Sequence, residues 1–192
     1  VARRMGDRKA VAAAINNLGL LLLRGSDLEG ALRRFEESIA LEREVGNRAG
    51  VVASLTNIAE VQSRLGRDAE AVRTYEEAIR ICREIGLKYG LGICLNNLAN
   101  IQAKEARLAE ALETYGQSLA LRREMGDRIG VATTLRNTAI VRHLLGDFGG
   151  AAGSLERALD LARSIGQPRT VAAVLDAGGN LARLIGDFAA AE

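Results

Sequence analysis

The chain is short of most residues on which catalysis and metal binding depend. It carries one histidine, two cysteines, one proline and no tryptophan in 192 residues. With His143 alone, no HExxH zinc site, His-rich metal set or serine triad can be assembled within the chain. One proline and no tryptophan point away from a β-sandwich and from a Pro-rich linker. Cys82 and Cys94 make neither a disulfide framework nor a metal site, and read as small buried hydrophobes in a reducing cytoplasm. No Asn-x-Ser/Thr sequon occurs, in keeping with that origin. Charge of one sign is not in excess either: 26 basic residues face 24 acidic ones, a net +2, too balanced for binding a phosphate backbone. The apolar run from Leu18 to Leu23 falls far short of the roughly 20 residues that a membrane span needs. Arg3-Arg4 is followed by no signal-type core, so the start at Val1 reads as a boundary inside a longer protein and not as a targeting segment.

What is present is a repeat. Hydrophobic residues make up 48% and charged ones 26%, enough for a folded chain. Gly6, Gly46, Gly86, Gly126 and Gly166 recur every 40 residues, and so do Ala31, Ala71, Ala111, Ala151 and Ala191. Asn17, Asn57, Asn97 and Asn137 keep the same spacing, as do Arg43, Arg83, Arg123 and Arg163. Four columns in step define four units, 6–45, 46–85, 86–125 and 126–165, with a partial fifth at 166–192 and the end of a preceding unit at 1–5. No linker interrupts them, which predicts one array over 1–192.

Each unit reads as two helices. In the second, Val52, Leu55, Ile58, Ala59 and Leu65 form one apolar stripe at three- and four-residue spacing. After Gly66-Arg67-Asp68, Ala71, Val72, Tyr75, Ala78, Ile79 and Ile85 form another. The glycine column then caps each second helix, because glycine accepts the left-handed backbone found there. Turns inside the hairpins fall at Gly66, Gly146 and Gly186, with Ser26 and Ala106 in the other units. Glu105-Ala106-Arg107 is therefore expected to make a tighter or more helical connection. Short turns make successive helices antiparallel. No segment alternates as a strand would.

These residues resemble the tetratricopeptide repeat family. Ile15-x-x-Leu18-Gly19 is followed by Ala31-x-x-x-Phe35, Leu55-x-x-Ile58-Ala59 by Ala71-x-x-x-Tyr75, and Leu95-x-x-Leu98-Ala99 by Ala111-x-x-x-Tyr115. The fourth unit keeps Leu135, Ala139 and Ala151 but has Thr138 and Leu155. The period is 40, and the arginine column replaces the family's terminal proline. That longer variety is similar to the repeats of kinesin light chains and of bacterial signalling proteins. A HEAT or armadillo array has a similar period but fits the small-residue columns less well. The resemblance implies an all-α, right-handed solenoid of helix hairpins that binds proteins and has no catalytic function.

No competing chemistry emerges. Gly90-Leu91-Gly92 lacks the third glycine and the preceding strand of a dinucleotide site. Asp147-Phe148-Gly149 imitates a kinase metal-binding motif but sits at an inter-helix turn, where Asp187-Phe188-Ala189 recurs. Nothing calls for a cofactor.

The asparagine column has two readings. Each amide bonds to the neighbouring repeat, or each grips the backbone of a bound peptide, for which its donor and acceptor suit it. By resemblance, the first helices line a concave groove. Its candidate residues are Asn17, Asn57, Glu60, Arg64, Asn96, Asn97, Asn100, Lys104, Arg136, Asn137 and a partly exposed His143. This asparagine floor with a basic edge favours acidic or carboxylate-bearing peptides. Asn96, Asn100 and Arg136 partly echo the family's chaperone-tail carboxylate clamp, whose lysine has no match here.

The resulting expectation is a protein- or peptide-binding scaffold, the sensory or adaptor part of a larger cytoplasmic regulator that binds neither nucleic acid nor membrane. The alternatives are a structural self-association module and an accessory region of an NTPase- or kinase-type signalling protein. Residues 1–5 match the tail of a second helix, so another repeat is expected before them. At the other end, Ala189 to Glu192 would begin a second helix. Val171, Val174, Leu175, Leu181 and Leu184 would then leave an apolar stripe through which copies associate.

Overall fold

The computed structural model describes residues 2–189, and side chains from 7 to 179. Nine helices and no strand occur among the described residues: α1 (Ala2–Arg24), α2 (Leu28–Glu44), α3 (Arg48–Arg64), α4 (Asp68–Ile85), α5 (Lys88–Lys104), α6 (Leu108–Glu124), α7 (Arg128–Leu144), α8 (Phe148–Ile165) and α9 (Pro168–Ala189). The fold is all-α, as the periodicity predicts. No helix of the described residues is long and apolar enough to cross a membrane.

The turns share one device. A left-handed residue stands at Ser26, Gly46, Gly66, Gly86, Ala106, Gly126, Gly146 and Gly166, with φ between 60° and 79°. Turns within hairpins and turns between them are therefore alike. At Gly46, the Asn47 amide bonds back to the Glu42 carbonyl (2.9 Å) and the Gly46 amide to that of Arg43 (3.1 Å), which satisfies the last carbonyls of α2. The next helix is then capped from its own sequence. Asp27, Asn47, Asp127 and Asp147 accept the backbone amides of Gly30, Gly50, Gly130 and Gly150.

Three turn expectations need correction. Ala106 takes φ 60°, the same turn as its glycine counterparts and not a more helical one. Packing of the helices on either side fixes the turn and overrides the alanine's preference. Gly6 lies inside α1, so residues 2–6 continue that helix and are not the capped tail of another. Gly186 likewise lies inside α9, where a turn and a new helix were expected. A helical glycine costs only about 1 kcal/mol, so a glycine of the column can stay inside a helix. Val1, Ala190, Ala191 and Glu192 lie outside the described residues.

Two compact units divide within α5, after Asn97. In the first, α1–α2, α2–α3 and α3–α4 pack in sequence, and the first helices α1 and α3 also touch. Phe35 is fully buried, and a Cβ on Gly19 would come within 2.5 Å of its ring, which is why the small-residue column begins with glycine. Ala31, Ala59 and Ala71 are fully buried. The Ser38 hydroxyl donates to the Ala12 carbonyl (3.0 Å) and lies 3.2 Å from that of Ser54, so one polar thread ties α1, α2 and α3.

In the second unit α6–α7, α7–α8 and α8–α9 pack in order, and α7 also meets α9. Ala99, Ala111, Tyr115 and Val141 form one core cluster; Leu119, Val131, Leu135, Ala158 and Val174 form another. Of the stripe expected at the C-terminal end, Val174 is buried and Leu175 exposed, while Leu181 and Leu184 lie outside the described side chains.

Candidate functional site

The asparagine column sits on the first helices, and in both units its amides bond to other side chains. In the first unit Asn57 Nδ2 donates to Asn16 Oδ1 at 3.0 Å, joining α3 to α1. Asn96 Nδ2 donates to Asn97 Oδ1 (3.1 Å), and Asn97 also hydrogen-bonds the buried Tyr75 hydroxyl. Asn96 is buried and Asn17 exposed. Glu60 and Arg64 pair one helical turn apart at 2.6 Å, so that stretch of the face neutralises itself.

The second unit makes a longer chain of bonds. Arg136 donates through Nε (3.2 Å) and Nη2 (2.9 Å) to Asn137 Oδ1. Asn137 Nδ2 donates to Asn100 Oδ1 at 3.0 Å, and the Tyr115 hydroxyl donates to the same oxygen at 2.5 Å. Burial pushes the Tyr115 phenol well above its usual range, which keeps it a donor. Asn137 is only 8% exposed. Asn57 and Asn137 thus each link neighbouring first helices, and Asn137 also orients an arginine.

That arginine lines a cavity of about 160 Å³ between α7 and α9, with Thr133, Arg169, Thr170, Ala173 and Val174. No carboxylate pairs with Arg136 or Arg169 among the described residues. Two guanidiniums and two hydroxyls without a counter-ion suit a carboxylate or another planar oxyanion. The sequence reading found Arg136 but missed Thr133, Arg169 and Thr170. Following the Asn137 face four residues back as well as forward would have reached Thr133. Lys104 is exposed at the end of α5.

His143 needs correction. It is 8% exposed, not partly exposed, and packs edge-on against Phe148 with ring centroids 5.2 Å apart. The turn to α8 folds Phe148 over it, and a ring so covered offers a ligand little. Asp147-Phe148-Gly149 is indeed turn and helix start, with Asp147 as N-cap.

A second cavity, about 230 Å³, lies in the first unit among Glu42, Arg43, Gly46, Arg48, Val51, Arg80 and Ile81. Its arginines are already engaged: Arg43 with Glu77 (3.1 Å), and Arg48 and Arg80 both with Glu84. The Arg48 and Arg80 guanidiniums hold the Glu84 carboxyl below the usual carboxylate range. For an acidic ligand this pocket is the poorer of the two. Cys82 and Cys94 are both buried, and no group of three or more metal-ligating side chains occurs among the described residues.

Solved structures share this architecture. BtubC (BKLC) from P. vanneervenii superposes with a TM-score of 0.75 at 21% identity, covering 91% of this chain and 75% of that one. Aspartyl phosphate phosphatase F from Bacillus subtilis gives 0.83 at 10% identity over 94% of this chain, which spans half of that protein's length. At such identities the likeness is one of fold. No curated protein matches the sequence. The tetratricopeptide repeat pattern itself matches residues 10–84 and 91–164, most of the chain, and the chain belongs to the tetratricopeptide repeat family.

Proposed function

We propose that the chain is a protein–protein interaction scaffold whose first-helix faces take an extended, carboxylate-bearing segment. Tetratricopeptide folds are in general non-catalytic binding scaffolds. The observation that carries the reading is the α7–α9 cavity, lined by Arg136, Arg169, Thr133 and Thr170, with no carboxylate paired to either arginine among the described residues. The Asn137–Asn100–Tyr115 chain holds the Arg136 fork in place before a ligand arrives, which lowers the entropy lost on binding. Asn57, Asn97 and Glu60–Arg64 supply a more neutral face in the first unit, suited to a segment's backbone and uncharged side chains. In the larger protein the array serves as the sensory or adaptor part of a regulator.

The test is fluorescence anisotropy with a labelled, glutamate-rich peptide and its neutral glutamine counterpart. The acidic peptide binds saturably and more tightly, and Arg136→Glu with Arg169→Glu weakens it at least about tenfold, with helicity unchanged. Equal affinity for both peptides, or no loss in the double variant, would overturn the reading.

A further inference from the structure

The only two cysteines in the chain meet. Cys82, on α4, and Cys94, on α5, are 1% and 0% exposed, and the Cys82 thiol hydrogen-bonds the Cys94 sulfur. A Cβ on Gly90 would lie 3.1 Å from Cys82 Sγ, so α5 runs its backbone against that side chain, and Cys94 follows one turn later on the same face. Thr56, from α3, places its hydroxyl 3.3 Å from Cys94 Sγ. Buried cysteines serve well as lone small hydrophobes, but two that touch across a helix pair can also be joined.

We infer that Cys82 and Cys94 are an oxidative modification site, closed by a peroxide into a disulfide that staples α4 to α5. Hydrogen bonds with Cys82 and Thr56 hold the Cys94 thiol below its ordinary range, while its bond to Cys94 and burial hold Cys82 above, so Cys94 attacks first. Its thiolate takes one peroxide oxygen: the S–O bond forms, the O–O bond breaks and hydroxide leaves, giving a sulfenic acid. Cys82 then loses its proton and attacks that sulfur, forming the S–S bond and expelling a second hydroxide. The two thiol protons turn both hydroxides into water, so two thiols and one peroxide give one disulfide and two waters. Access comes from local opening of the first turns of α5, where Gly90 and Gly92 weaken the helix.

The experiment treats the full chain with a small excess of hydrogen peroxide, then denatures it, alkylates it with iodoacetamide and measures intact and peptide masses. The expected product is a monomer lighter by two hydrogens, with both cysteines protected together in one cross-linked peptide pair. Dithiothreitol reverses it, and the melting temperature rises by about 5 °C in the oxidised form. In Cys82→Ser the reaction stops at a Cys94 sulfenic acid that dimedone traps. Full alkylation of both thiols, sulfinic or sulfonic acids without a cross-link, or intermolecular dimers would overturn the inference. The measurements on the unaltered chain decide it even if the variant fails to fold.

Discussion

Glu42 and Arg122 occupy the same place in the two units, two repeats apart, near the end of a second helix. Each lies against a glycine of the following first helix, Gly50 or Gly130, where a Cβ would collide with the carboxyl or the guanidinium. Both are buried, at 5% and 7% exposure, yet their surroundings differ. Arg122 donates to Ser118 Oγ (3.2 Å) and to Asp127 (3.0 Å), and Asp127 also caps α7. Glu42 has Asn47 where Arg122 has Asp127, and its Oε2 has no hydrogen-bond partner. The glycine makes a space that accepts either sign of charge, but only the second unit supplies the counter-ion. The other occurrences fill the place without charge: Cys82 beside Gly90, and Ala162 with Thr170 at the same spacing. The place accepts side chains of either charge or none, and what each bonds to is set by its own surroundings.

The sharpest way to break this comparison is to remove each charge. Arg122→Ala leaves Asp127 without its buried partner and is expected to destabilise the chain by about 3 kcal/mol. Glu42→Leu removes a desolvated carboxyl with an unmet acceptor and is expected to be neutral or to gain about 1 kcal/mol. Urea midpoints for both variants decide it; equal losses would mean that Glu42 has a partner after all. Next come the glycines. Gly130→Ala drives a methyl into a guanidinium held by two bonds, at a cost of about 2 kcal/mol. Gly50→Ala meets the free end of Glu42, which can swing aside, so its loss should stay under about 1 kcal/mol.

How much of this was legible in the sequence follows from the same residues. The helices and turns were, because spacing at 40 shows Gly46, Gly86, Gly126 and Gly166 directly and the apolar stripes fix the faces. The Gly50, Gly90 and Gly130 series has the same spacing and was the available sign of the buried column. Its partners, Glu42, Cys82, Arg122 and Ala162, share no property except position, so no column search would join them. The asparagines were visible, but their bonds were not. Asn57 reaches Asn16 while Asn137 reaches Asn100, a difference set by side-chain geometry between helices that periodicity cannot express. Gly6 and Gly186 show the converse limit: a repeat column by itself does not fix a turn.

The asparagine column can be compared across the units as well. Asn137→Ala leaves Arg136 and Asn100 each short of a bond in a part-buried setting, an expected loss of about 1 kcal/mol in thermal or urea unfolding. Asn17→Ala, at an exposed position, should stay within about 0.5 kcal/mol. Equal effects would show that the column works alike in both units.

The smallest expected effect concerns the two places where the left-handed column lacks glycine, Ser26 in the first unit and Ala106 in the second. A residue with a Cβ held at positive φ carries a penalty of roughly 1–2 kcal/mol. Glycine removes it but widens the unfolded ensemble, which offsets about 0.4–1 kcal/mol of the gain. The net for Ala106→Gly is therefore a stabilisation of about 0.5–1 kcal/mol, although no contact changes. Ser26→Gly should gain a similar amount, since its φ of 64° is close to the 60° of Ala106. The mirror substitution, Gly146→Ala at φ 79°, should lose about as much, as nothing within 4 Å would obstruct the added methyl. Urea midpoints for the three variants test the balance. If Gly146→Ala costs nothing, the turns are soft enough to abandon the left-handed residue, and the even φ values along the chain would then reflect helix packing alone.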